Sequence, residues 1–141
     1  DVAGPEVEII AIDRDAGNLR ELRRAMERAF PSTLLHTHAA DFTRPLDLPP
    51  LDGILAANSL HYVRGQMALL RQWHSYLVPG GRLLVVEYDT DRGNHWVPHA
   101  LSFEKFADIA QEAGFTAPER IGTQPSRFLG RFFAGLAHTS D

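Results

Sequence analysis

Apolar residues in this chain come in two kinds of run. Short unbroken blocks rich in branched side chains predict strands, and longer stretches with apolar positions every three or four residues predict amphipathic helices. After a polar lead-in (Asp1 to Glu6), Val7 to Ile12 reads V-E-I-I-A-I and ends in Asp13, a buried strand. From Asp15 to about Phe30 the period changes: Leu19, Leu22, Met26 and Ala29 fall at helical spacing, with Asp15 as N-cap and Pro31 as the stop. Leu34 to Ala40 is a second strand ending at Asp41-Phe42, and a connector with Pro45, Pro49 and Pro50 follows. Asp52 to Ala57 is too short for a helix and predicts a strand buried on both faces of a parallel sheet.

The second half repeats the alternation. Met67, Leu70, Trp73 and Leu77 mark a helix over Gly65 to Leu77, stopped by V-P-G-G, where Gly80 or Gly81 takes a left-handed turn. Arg82 to Tyr88 is the fourth strand. Residues 89–101 have no period and form a long polar and aromatic loop. Ser102 caps a third helix whose buried face carries Phe103, Phe106, Ile109, Ala110 and Ala113, ended by Gly114. A weak strand (Arg120 to Thr123) and a final one (Phe128 to Ala137) have no helix between them and should pair antiparallel. The order predicts an α/β fold, a mostly parallel sheet with helices on its faces and an antiparallel last strand, forming a single domain over 1–141.

Four strands end in polar or acidic residues: Asp13, Asp41, Asn58 and Glu87. Parallel strands point one way, so these side chains should gather along one rim of the sheet, where open α/β sheets bind ligands. The richest stretch is N-S-L-H-Y, with Asn58, Ser59, His61 and Tyr62 in five positions. A carboxylate at a strand end suits a ribose, whose two hydroxyls its oxygens can accept; Asp13 is that candidate, because Asp15 is better placed to cap the helix. Asp41 could accept from an adenine amino group while Phe42 packs on the ring.

Composition narrows the options. The 141 residues are 44% apolar and 23% charged, with a net charge of −4 and no cysteine. That balance disfavours nucleic acid or an anionic membrane as partner, and it excludes thiolate metal sites and cysteine nucleophiles. No apolar run approaches a membrane span and no signal peptide is visible, so a cytoplasmic protein is expected. His36 and His38 share a strand face but have no third ligand, so no metal site is assigned. Ser59 lacks the G-x-S-x-G elbow of serine hydrolases.

The strand ending in Asp13, the Asp41-Phe42 pair, the A-N-S-L-H-Y turn and L-V-P-G-G-R-L-L-V-V-E-Y together resemble the class I S-adenosylmethionine-dependent methyltransferases, from the second strand of their Rossmann-like fold to its end. The resemblance implies S-adenosyl-L-methionine as cofactor and a small-molecule methyl acceptor. It puts Asp13 at the ribose with Arg14 in the same set, Asp41 and Phe42 at the adenine, and Asn58 and Ser59 at the methionine portion. His61 is the candidate general base, and Tyr62, Glu87, Tyr88, His95 and Trp96 are substrate-side candidates, the last two on a loop that could act as a lid. The family's glycine-rich loop should lie about 20 residues before the ribose-binding acid. Only 12 residues precede Asp13, so the chain is expected to be an N-terminally truncated, C-terminal portion of such a domain, with impaired cofactor binding. A nicotinamide-dependent oxidoreductase and a non-catalytic, methyltransferase-like interaction module are the competing readings.

Overall fold

In the computed structural model, which describes residues 6–141, the first compact unit extends to Leu46 and the second begins at Asp47. The expected polar lead-in falls almost wholly outside the described residues.

In the first unit, β1 (Glu8–Asp13) and β2 (Leu34–Ala39) pair in parallel from Glu8↔Leu34 to Asp13↔Ala39. Between them runs α1 (Ala16–Ala29). Asp15 caps α1 as expected, its side chain accepting from the Gly17 amide at 2.7 Å. Glu8 and His36 meet across the strands, Nε2 to carboxylate oxygen at 2.7 Å, which engages one of the two histidines on the shared face. The helical stripe is only partly covered: Leu19 is buried, whereas Leu22 and Ala29 are exposed.

In the second unit, β3 (Leu51–Ala57), β4 (Leu77–Tyr88), β5 (Glu119–Pro125) and β6 (Arg131–His138) form a sheet in the order β3-β4-β6-β5. The β3–β4 pair is parallel, and both pairs involving β6 are antiparallel, as the absence of a helix before β6 requires. A 3₁₀ turn (Leu60–Tyr62) and α2 (Gln66–Tyr76) link β3 to β4, and α3 (Phe103–Glu112) precedes β5.

Two expectations are corrected here. The strand over Asp52 to Ala57 is not buried on both faces: Leu55 is 67% exposed, and among the described residues β3 pairs with β4 alone. The sheet is buried on one face, with Gly81, Leu83, Val85 and Glu87 of β4 buried in alternation with partly exposed Leu84, Val86 and Tyr88. An apolar outer face hid that two-residue period. Nor does V-P-G-G terminate the helix. The helix ends at Tyr76, capped by the Leu77 amide on the His74 carbonyl, and Leu77 already pairs with Leu51. The four residues instead loop out of β4, with Gly80 at φ +73°. Buried Thr139 holds this loop, its hydroxyl accepting from the Gly81 amide at 2.9 Å and donating to the Val78 carbonyl at 2.7 Å.

The core of this unit is aromatic. Phe106 of α3 stacks on Phe133 of β6 with centroids 5.7 Å apart. It sits over Gly135, where a Cβ would lie 2.7 Å from the Phe106 ring, so the missing side chain sets how closely α3 approaches the sheet. Ser102 caps α3 through its hydroxyl and the Lys105 amide. Gly114, at φ +108°, lets the chain turn so that the Phe115 amide reaches the Ala110 carbonyl.

Candidate functional site

The polar strand ends separate into two sets, one in each unit. In the first, Asp13 and Asp41 follow adjacent parallel strands, and the Ala40 amide donates to the Asp13 carbonyl at 3.0 Å. Asp13 accepts from the Asp15 amide at 2.8 Å on Oδ1 and from the Asn18 side chain at 3.3 Å on Oδ2. A carboxylate has about four acceptor positions, so each oxygen keeps one free. Arg14 is exposed beside it.

Asp41 is more committed. Its Oδ1 accepts from both the amide (2.9 Å) and the hydroxyl (2.7 Å) of Thr43, and Oδ2 lies 3.8 Å from Arg44. The Thr43 hydroxyl, then its amide, and to a smaller extent Arg14 and Arg44, hold the Asp41 carboxyl below the usual carboxylate range. A depressed folded-state pKa adds stability at neutral pH that is lost as pH falls through that value. Thr43→Ala is therefore expected to raise the Asp41 pKa toward the ordinary aspartate value, measured by NMR titration of its carboxyl carbon. Phe42 follows at a partly buried position.

In the second unit, Asn58 takes a left-handed conformation (φ +54°) directly after β3, with its amide donating to the Val86 carbonyl at 2.9 Å. Asparagine tolerates this region better than other side-chain-bearing residues, so the sharp turn is encoded locally. Ser59 turns back and donates its hydroxyl to the Ala57 carbonyl at 3.0 Å.

The 3₁₀ turn then drops His61 into the interior, where it is 2% exposed, against Glu87 at 1%. Glu87 Oε1 accepts from the amides of Leu60 (2.9 Å) and His61 (3.3 Å), and Oε2 lies 2.8 Å from His61 Nδ1. With Glu87 as an ionised carboxylate, which only accepts, Nδ1 would carry the proton and leave a lone pair on Nε2. Glu87, expected on the substrate side, is instead buried under the turn. It fixes both the backbone that carries His61 and the tautomer of its ring.

Gln66, which the sequence reading missed, completes this arrangement. Its buried amide donates to the carbonyls of Leu60 (3.0 Å) and His99 (2.8 Å), and the His99 amide donates to the His61 carbonyl at 2.9 Å. The available signal was a glutamine sharing the helical stripe with Leu69, Leu70 and Trp73.

Those bonds also pin the long loop. Val97, Ala100 and Leu101 are buried, Asp89 Oδ1 accepts from the Phe103 amide at 2.8 Å, and Asp91 Oδ1 accepts from the Ser102 amide at 3.0 Å. His95 and Trp96 lie on the exposed segment between these anchors, in edge-to-face contact at 5.3 Å.

Two aromatic rings also lie near His61. Its ring centroid lies 4.1 Å from Tyr62 and 5.8 Å from Tyr88, and Tyr88 stacks on Phe132 at 4.4 Å with Phe128 at 6.1 Å. From the sequence, Phe128 and Phe132 stand out only as parts of a strand. Phe128 lies before β6 begins, in a turn held by the Ser126 hydroxyl. Beside this cluster is an open cavity of about 450 Å³, lined by Asn58, Val86, Thr123, Gln124, Phe132 and Ala134 among others. Among the described residues no group of three or more potential metal ligands gathers, and no helix is long and apolar enough to cross a membrane.

No protein-family model and no curated protein matches the chain. Solved structures do. The S-adenosylmethionine-dependent methyltransferase SibL superposes with a TM-score of 0.68 at 22% identity, over 96% of this chain and 44% of its own. The N-methyltransferase NodS from Bradyrhizobium japonicum, in complex with S-adenosylhomocysteine, gives 0.72 at 18% identity over 95% and 67%. The Burkholderia thailandensis 1,6-didemethyltoxoflavin N1-methyltransferase, with its namesake compound and S-adenosylhomocysteine bound, gives 0.67 at 17% over 94% and 71%. The chain thus spans less than half the length of SibL and about two thirds of the other two. It has the class I S-adenosylmethionine-dependent methyltransferase fold of these structures, with an antiparallel last strand.

Proposed function

We propose that this chain is the catalytic portion of a methyltransferase that uses S-adenosylmethionine to methylate a small molecule, with His61 as general base. The observation that carries this reading is the His61–Glu87 dyad at the carboxyl ends of β3 and β4, a proton acceptor set by a buried carboxylate in a methyltransferase fold. S-adenosylmethionine supplies an electrophilic methyl group on a sulfonium, already a good leaving group, so the protein's share is orientation and proton removal.

The residues present suit that cofactor. Asp13 keeps an acceptor position on each oxygen for a ribose hydroxyl, and Asp41 Oδ2, which faces Arg44 at 3.8 Å, has an acceptor position for an amino group beside Phe42. Asn58 and Ser59 offer short polar side chains after β3, where the methionine portion would lie. Glu87 restrains the His61 ring, and the Gln66 and His99 bonds restrain the turn that carries it.

A thermal-shift titration of the chain with S-adenosylmethionine, S-adenosylhomocysteine and NAD tests the cofactor. Weak stabilisation by the two sulfur compounds is expected, in keeping with impaired cofactor binding, and stabilisation by NAD alone would overturn the reading. His61→Asn keeps a donor for Glu87 and removes Nε2. It should leave S-adenosylhomocysteine affinity within about twofold while lowering turnover about 10²- to 10⁴-fold.

A further inference from the structure

We propose that the aromatic cluster beside the dyad, Tyr62, Tyr88, Phe128 and Phe132, is the acceptor subsite, and that it takes a planar aromatic molecule bearing an acidic hydroxyl. This deepens the methyl-transfer reading and rests on it.

Tyr62 is 65% exposed and Phe128 54% exposed; Phe128 flanks the Tyr88–Phe132 stack and Tyr62 lies against His61, which itself neighbours Tyr88. Neither ring contributes to the buried core; Tyr62 lies against His61 and Phe128 against Tyr88, so each has a surface to offer. Aromatic faces favour offset or tilted partners with centroids about 4.5–7 Å apart, and a flat ligand meets several such faces at once. The adjoining cavity, about 450 Å³, is of the size that holds a small molecule, and its lining includes no charged side chain.

The charges decide the kind of acceptor. A cationic amine would need a carboxylate in exchange for its hydration. The two carboxylates at hand are committed: Glu87 to the Leu60 and His61 amides and the His61 ring, Asp89 to the Phe103 amide and to Arg120 at 3.3 Å. A neutral acceptor carrying a proton needs the base that His61 supplies. In the step itself the hydroxyl proton passes to His61 Nε2 and the oxygen forms a bond to the methyl carbon. The carbon–sulfur bond breaks with its electron pair on sulfur, leaving a methyl ether, a neutral thioether and a protonated imidazole.

The test is saturation-transfer NMR and fluorescence titration on the full chain, with 2-naphthol, cyclohexanol and benzyltrimethylammonium as probes and no methyl donor present. Naphthol should bind, cyclohexanol should not, and the cation should bind more weakly than naphthol. Phe128→Ala removes an exposed ring and should weaken naphthol about 3- to 10-fold without moving the thermal midpoint. Tyr62→Ala should act alike. Tighter binding of the cation, or naphthol binding indifferent to both substitutions, would overturn the subsite. S-adenosylhomocysteine is titrated separately. Its binding without naphthol would remove the subsite alone, whereas naphthol binding sensitive to Phe128 without it would uphold the subsite and remove methyl transfer.

Discussion

Glu87→Ala is expected to destabilise the chain by about 3–5 kcal/mol, the range for breaking one half of a buried, hydrogen-bonded pair. The carboxylate is the acceptor for the Leu60 amide, the His61 amide and the His61 ring, all in the interior. Each donor left without a partner costs about 1–3 kcal/mol, and a cavity adds to that. Leu60 to Tyr62 form only a single 3₁₀ turn, with no regular strand or long helix to hold it, so the turn should loosen once these bonds are lost. Glu87→Gln keeps one acceptor oxygen for the backbone amides but sets an NH₂ group against the ring. Its loss should be smaller, about 1–2 kcal/mol. Urea denaturation measures both; a Glu87→Ala loss under about 1 kcal/mol would show that the carboxylate does not organise the turn.

Phe106→Ala should cost a similar amount, about 3–5 kcal/mol. The ring is fully buried, stacked on Phe133 at 5.7 Å and tilted against Phe103 at 6.4 Å. Its contact with Gly135 gives the prediction a second part. Gly135→Ala alone forces a methyl within 2.7 Å of a ring that has no room to retreat, an overpacking cost of about 1–3 kcal/mol. In the double variant that clash is absent, so the two losses should fall short of additivity by 1 kcal/mol or more, roughly the coupling seen between touching residues. Additive losses in a denaturation cycle would place the ring and the glycine in separate environments.

The elements were largely legible because their signals are local. Asp15 and Ser102 cap the helices they precede, and the missing helix between β5 and β6 requires their antiparallel pairing. Leu55 was not legible as an exposed residue, because a strand with apolar side chains on both faces reads as buried whether or not anything covers its outer face. V-P-G-G misled for a related reason: proline and glycine announce that a helix cannot continue, but Thr139, about sixty residues later, decides that they form a loop within a strand.

The candidate site divides along the same line. Sequence alone determined the polar and acidic strand ends, the short turn carrying His61, and the resemblance to a methyltransferase, since each depends on residue type and spacing over a few positions. Tertiary structure alone decided that Glu87 belongs under His61 rather than beside a substrate, that Gln66 ties the turn to the long loop, and that Phe128 and Phe132 join Tyr88. These pairings bring together groups as many as 44 residues apart, from Tyr88 to Phe132. No local propensity encodes such separations; they follow from strand register and from the requirement that every buried donor find an acceptor.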